Sequence, residues 1–368
     1  MNKLNWRRIV LKVGSALIAP DQDGCRSRYI LTIAQFIVRC RARGIEVILV
    51  SSGSVAAGAH LFPSDTARSV VMKKAMAAAG QTEMIAMWDR FFDFPSAQLL
   101  LTHGDLRDHE RYQSIRETVF TLLEHGVLPI INENDAVTTD DLKVGDNDNL
   151  SAMVAAAADA DALLIFSDVD GLYDKNPNLH DDAILLPEIK SIDDSIYAMA
   201  GCATSAVGTG GMKTKIEAAE KATSHGISTY IINGFKEETF TRLLAGENPG
   251  TIFLPYEKPM QDSVHWMTHT ANEQGEVVVD GSFDKSLEGE TGCIRGDEIM
   301  AVHGEFAIGD TILVRSEDGT RLAKATANYS SCLLSFIADN EQSEFSEKMQ
   351  DSIGPVISEK HIALLEKS

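Results

Sequence analysis

The 368-residue chain holds only five cysteines. They stand at Cys25, Cys40, Cys202, Cys293 and Cys332 with no C-x-x-C pair, which excludes a disulfide framework and a cysteine zinc site. They read as reduced thiols of a cytoplasmic protein. No run of about eighteen apolar residues occurs, so a transmembrane helix is excluded and no membrane partner is expected. Arg7 and Arg8 precede an apolar stretch, but Lys12 interrupts it and no A-x-A site follows, so no secretory signal is read there. Positive charge is scarce too. With 33 Lys and Arg against 54 Asp and Glu, the net charge is −21. That argues against nucleic acid as a partner, because phosphate neutralisation needs basic residues in excess. A chain this acidic must concentrate its positive charge locally to hold an anionic substrate. H-E-x-x-H, zinc-type histidine spacing and a G-x-S-x-G elbow are all absent, leaving zinc and covalent hydrolase chemistry without support.

What is present is an alternation of short apolar runs with longer amphipathic segments. Ile9–Val13, Ile45–Val50, Ala97–Thr102, Val127–Ile131, Ala162–Ser167 and Ile227–Ile232 read as strands. Helices are expected over about 27–43, 68–92, 150–158 and up to His225. Apolar runs without strict alternation, spaced by helices, predict an α/β fold: a doubly wound, mainly parallel sheet sandwiched by helices. Near Pro249–Pro259 the pattern breaks into a polar connector, and then short strands return at Val277–Asp280, Glu298–Val302, Thr311–Arg315 and Ala323–Ala327. The expected division is a first domain over 1–258, a linker over 259–274, a small β-rich domain over 275–353 and a tail over 354–368.

Candidate chemistry sits at the ends of the strands. Lys12 is a charged residue in an apolar run just before Gly14; it is either a strand-end lysine reaching solvent or a buried ammonium that needs an anion. Ser51-Ser52-Gly53-Ser54 follows the second strand, as a tight β–α turn or as backbone N–H groups that approach an anion. Asn132-Glu133-Asn134-Asp135 and Asp146-Asn147-Asp148-Asn149 are acidic, amide-rich clusters. A solvated loop or helix caps explain them, yet they also offer carboxylates for an ammonium and amides for a carboxylate, the two ends of an amino acid. The EF-hand pattern fails there, so no protein metal site is expected. Gly208-Thr209-Gly210-Gly211-Met212-Lys213-Thr214-Lys215 opens a helix and suits a nucleotide phosphate, although it fits neither Walker A nor G-x-G-x-x-G and also reads as a surface loop. Ser167-Asp168-Val169-Asp170-Gly171 is a nucleotide contact or an ordinary β–α turn.

Taken together, VLKVGSALI (Val10–Ile18), SSGSVAAG (Ser51–Gly58), PIINENDAV (Pro129–Val137), KVGDNDNLSA (Lys143–Ala152), SDVDGLY (Ser167–Tyr173) and GTGGMKTK (Gly208–Lys215) resemble the amino acid kinase family. The INEND and GDNDN pair is similar to the members that phosphorylate the γ-carboxylate of L-glutamate to L-glutamate 5-phosphate, the first step of proline biosynthesis. The resemblance implies that Lys12 and Lys215 neutralise the transferring phosphoryl group, with Asp148 orienting both. It implies that Ser52, Asp135 and Asn147 hold glutamate. It assigns ATP to Lys12, Ser167, Asp168 and the run Thr209, Gly210, Gly211, Met212, Lys213, Thr214 and Lys215, and the phosphate path to N–H groups of Gly14 and Gly53. ATP and Mg²⁺ are implied, the ion arriving with the nucleotide. So are a homo-oligomer (dimer or tetramer), inhibition by proline, and functional coupling to glutamate-5-phosphate reductase. The tail resembles a PUA domain around Val302–Phe306 and Ile308–Thr311, but Asp297-Glu298 places acid where such domains often carry a basic step. It reads as a structural or regulatory appendage rather than an RNA-binding one.

Overall fold

The computed structural model describes residues 5–62, 69–138, 147–200, 211–280, 294, 298–339, 355–357 and 362–365. The chain divides into two units, 1–106 with 110–259, and 107–109 with 260–368.

In the first unit the strands are β1 (Arg8–Val13), β2 (Glu46–Ser51), β3 (Ser96–Leu101), β4 (Leu128–Glu133), β5 (Ala162–Ser167), β6 (Glu188–Ile189), β7 (Ser228–Asn233) and β8 (Thr251–Phe253). The helices are α1 (Ser15–Ile18), α2 (Ser27–Arg41), α3 (Ser54–Gly58), α4 (Val70–Asp89), α5 (His103–Arg107), α6 (His109–Glu124), α7 (Asn147–Ala157), α8 (Asp194–Ala200), α9 (Met212–Ser224) and α10 (Glu237–Leu244). Every residue of β1, β4 and β5 is buried, as expected of parallel strands covered on both faces. The strand order is β3-β4-β2-β1-β5-β7-β8-β6. All pairings from β3 to β7 are parallel, and only β7–β8 is antiparallel. The expected doubly wound sheet is therefore the one observed.

Alternation along β1 sends Ile9, Leu11 and Val13 to one face, where they pack with Ile30, Ile33, Phe36 and Ile37 of α2, with Trp88 of α4, and with Phe166 and Phe240. Arg8, Val10 and Lys12 take the other face by the period of two. Arg8, at the amino end, is satisfied by Glu46 at 2.7 Å and by the Ala158 carbonyl. All eleven residues of α7 are buried, its polar first turn included. The chain leaves β1 to one side for β2, β4 and β3, then returns to its other side for β5 and β7. The carboxyl end of β1 thus lies at the switch point where open α/β sheets place ligands.

The second unit contains α11 (Asp262–His269), β9 (Gly275–Val279), β10 (Ile299–His303), β11 (Thr311–Ser316), β12 (Arg321–Thr326), α12 (Ser331–Asp339) and β13 (Ile362–Leu364). Its sheet runs β10-β9-β11-β12-β13. Val277, Val279, Ile312, Val314, Ala323 and Ala325 face Leu334 and Ile337 of α12. Two segments differ from the reading of the sequence. The expected polar connector holds helix α11, which buries His265, Trp266 and Met267; eight residues are too short to display a helical period. The expected tail supplies β13, paired antiparallel to β12. No described helix is long and apolar enough to cross a membrane.

Candidate active site

Three elements meet at the carboxyl end of β1. Lys12 comes from β1, Asp148 from the first turn of α7 and Lys215 from the first turn of α9. Lys12 Nζ lies 2.6 Å from Asp148 Oδ1, and Lys215 Nζ lies 3.1 Å from Asp148 Oδ2. Thr214 Oγ1 is 2.9 Å from Asp148 Oδ2 and also 2.9 Å from the Gly211 carbonyl, to either of which it can donate. All three charged residues are buried. Burial alone would raise the Asp148 carboxyl, but the Lys12 ammonium and then that of Lys215 overcome it and hold the group well below the usual carboxylate range. Asp148 therefore stays ionised, and two ammonium groups sharing one carboxylate leave the trio with a net positive charge. A charge excess in a buried place is costly unless an anion answers it.

On the β2 and β4 side the situation is reversed. Asp135, just past β4, is buried; its Oδ2 accepts from Ser54 Oγ at 2.9 Å and its Oδ1 has no partner. Burial raises the Asp135 carboxyl, and the hydrogen bond from Ser54 only partly offsets that. Ser52 Oγ is buried without a partner. Asn147 Oδ1 accepts from the Glu133 N–H at 3.2 Å, which ties the start of α7 to the end of β4. Gly53, between Ser52 and Ser54, has φ +111°, and a Cβ there would lie 2.9 Å from Ile18 Cβ. Both conditions demand glycine. The turn sits against α4 through Gly58 and Gly80. A Cβ on Gly80 would lie 2.0 Å from the Ser54 carbonyl.

On the β5 and β7 side, Ser167 Oγ donates to Asp168 Oδ1 at 2.9 Å, with Ser167 buried and Asp168 exposed. Asp170 receives Lys236 Nζ at 2.6 Å and Asn233 Nδ2 at 2.9 Å. Gly211 is the N-cap of α9 and lends it no side-chain cap, and the N–H groups of a helix's first turn have no acceptor within the helix itself. Met212 is buried and Lys213 exposed. Thr209 and Gly210 lie outside the described residues.

The structure thus gathers Lys12, Asp148, Thr214 and Lys215, and sets Ser52, Asp135 and Asn147 to one side of them, with Ser167 and Asp168 to the other. One expectation is corrected. The Gly14 N–H does not line a phosphate path, because it donates to the Phe166 carbonyl at 3.1 Å and so continues the β1–β5 pairing. Ser54, Lys236 and Gln81 were not singled out in the sequence. Gln81 Oε1, on α4, accepts from Asn132 Nδ2 at 2.8 Å. Ser54 stood within a quoted motif, but its bond to Asp135 spans 81 residues, and local spacing carries no trace of it.

Residues 7–233 match the model of the amino acid kinase family. Glutamate 5-kinase of Idiomarina loihiensis is 53% identical over 371 aligned residues, covering 100% of both chains. The enzyme of that name from Salinibacter ruber is 44% identical over 95% of this chain and 94% of its own. That of Xylella fastidiosa M23 is 42% identical over 88% and 86%. With its parallel sheet, its lysine–aspartate–lysine bridge and relatives aligned along its whole length, the chain belongs to the amino acid kinase family, on its glutamate 5-kinase branch.

Proposed function

We propose that this chain transfers the γ-phosphoryl group of ATP to the γ-carboxylate of L-glutamate, giving L-glutamate 5-phosphate and ADP, the first step of proline biosynthesis. The observation that carries the reading is the Lys12–Asp148–Lys215 bridge, set beside a buried carboxylate, Asp135, with an open oxygen. The γ-carboxylate, with a pKa of about 4.3, is ionised at neutral pH, so the reaction needs no general base. A carboxylate oxygen attacks the γ-phosphorus, the bond to the bridging oxygen of ADP breaks, and a mixed anhydride forms. The residues must align two anions and cancel their repulsion.

Lys12 and Lys215 do this from opposite oxygens of Asp148, which fixes both ammonium groups. Asp135 receives the α-ammonium, while Ser52 and Asn147 complete the glutamate side. Ser167, Asp168 and the start of α9, from Thr209 to Lys215, take the nucleotide. The first-turn N–H groups of α9 and the Gly53 turn face the phosphates. Mg²⁺ enters with ATP, held by phosphate oxygens; both oxygens of Asp148 are engaged by lysines, in keeping with an ion carried by the nucleotide. The acyl phosphate is prone to hydrolysis, which supports prompt hand-off to glutamate-5-phosphate reductase. The same family resemblance supports a cytoplasmic homo-oligomer, dimer or tetramer, which sedimentation would size.

The test is glutamate-dependent ADP release with Mg·ATP, trapping the acyl phosphate with hydroxylamine and running aspartate and N-acetylglutamate in parallel. Hydroxamate with glutamate alone supports the proposal. Faster turnover of either other acid overturns it.

A further inference from the structure

Beside Asp135 lies a second set of open polar atoms that the reaction as described leaves unused. Gln81 sits on α4 and Asn132 near the end of β4; both are buried, Gln81 with 9% and Asn132 with 1% of its surface exposed. Asn132 Nδ2 donates to Gln81 Oε1 at 2.8 Å, which sets the two amides relative to each other: a flip of one alone would set donor against donor or acceptor against acceptor. In this arrangement Gln81 Nε2 and Asn132 Oδ1 have no partner, so the pair leaves one amide N–H₂ and one amide oxygen open. Buried amide groups are rarely left so, because each forfeits its hydration for nothing.

Their place in the fold is informative. One turn further along α4, Met84 Sδ lies 3.3 Å from Ser51 Oγ at the end of β2. The neighbouring Gly80 abuts the carbonyl of Ser54, whose hydroxyl holds Asp135. Gln81 is therefore the residue at which α4 passes the carboxyl ends of β2 and β4. Among the described residues the open buried atoms of this corner are Gln81 Nε2, Asn132 Oδ1, Asp135 Oδ1 and Ser52 Oγ. That is one obligate donor, two acceptors and one hydroxyl. The complement of such a set is a zwitterion, an ammonium for the acceptors and a carboxylate for the donors.

We infer that Gln81 is a further substrate-binding residue, one that selects the acceptor by donating its Nε2–H to the α-carboxylate while Asp135 takes the α-ammonium. The inference rests on the glutamate reading above and adds to it the group that reads the amino-acid head. Asn132 acts through Gln81, holding the amide in its donating orientation.

The test compares three ligands in the full-length enzyme: glutamate by its KM, and glutarate and 4-aminobutyrate by their inhibition constants against glutamate. Glutarate lacks the α-ammonium, and 4-aminobutyrate lacks the α-carboxylate. Gln81→Met keeps the length of the side chain and removes the donor. It should weaken glutamate and glutarate by about tenfold to a hundredfold, the range for a lost hydrogen bond to a charged group, and leave 4-aminobutyrate unchanged. Gln81→Glu still accepts from Asn132 but presents a carboxylate. It should weaken the two carboxylate-bearing ligands further and bind 4-aminobutyrate at least as well as wild type, so a folding defect in one variant leaves the other informative. Equal weakening of all three ligands, or no weakening of any, as expected if water fills the space, overturns the inference. Wild-type enzyme that fails to turn over glutamate would instead overturn the proposed reaction, so the two failures are distinguishable.

Discussion

The two halves of the site solve opposite problems with the same residue type. At the end of β1, Asp148 is buried with both oxygens answered by ammonium groups, and its carboxyl is held low. Past the end of β4, Asp135 is buried with one oxygen open, and its carboxyl is held high. In the proposed reaction the first carboxylate is a structural counter-charge that positions two lysines where negative charge develops, and the second is a receptor that awaits the ammonium of the substrate. On that proposal the internally paired carboxylate serves the transition state and the one with an open oxygen serves binding, because only the latter gains a partner when the substrate enters.

The comparison breaks most visibly at Asp148. Asp148→Asn leaves two buried ammonium groups without their carboxylate and should cost about 3–5 kcal/mol of stability, read by denaturant unfolding, together with loss of turnover. Lys215→Ala, and likewise Lys12→Ala, should lower kcat by roughly a hundredfold to a thousandfold, as for removal of a group that stabilises transition-state charge, with little change in the KM for glutamate. Asp135→Ala should do the converse, raising the glutamate KM by about tenfold to a hundredfold with kcat largely kept. Gly80→Ala tests the support beneath the receptor half. A Cβ 2.0 Å from the Ser54 carbonyl forces α3 and α4 apart, for a loss of about 1–3 kcal/mol in thermal or denaturant unfolding.

The smallest effect is on pH dependence. With its folded-state pKa raised by burial, Asp135 contributes stability that is present below the ordinary aspartate pKa and lost as pH rises through the raised value. Only the ionised form attracts an ammonium. The glutamate KM should therefore climb as pH falls through that raised value, and Asp135→Asn should lack this limb of the profile.

The contrast between the halves also explains what could be read in the sequence. Lys12 stood out because a charge inside Ile9–Val13 is costly and demands a partner. The glycines before α9 stood out because they precede a helix start, and the strands because β1, β4 and β5 carry apolar runs without strict alternation. The partner of Lys12 is another matter: Thr214 and Lys215 reach Asp148 across 66 and 67 residues, a link that the family motifs implied and local spacing did not. Gln81 left no signal, since a lone amide within the twenty residues of α4 resembles any helix surface. Gly14 misled because its amide is consumed by pairing with β5, a neighbour that arrives about 150 residues later and only through the sheet order. Helix α11 was missed for its shortness and its polar flanks.

The measurement that bears most directly on this division of labour is steady-state kinetics of the wild type, Lys215→Ala and Asp135→Ala in one hydroxylamine-trapping assay with Mg·ATP and glutamate. The account predicts that the lysine variant loses kcat at nearly constant glutamate KM, while the aspartate variant raises glutamate KM at nearly constant kcat. A large kcat loss in Asp135→Ala with unchanged glutamate KM, or a rise in KM alone for Lys215→Ala, would contradict it.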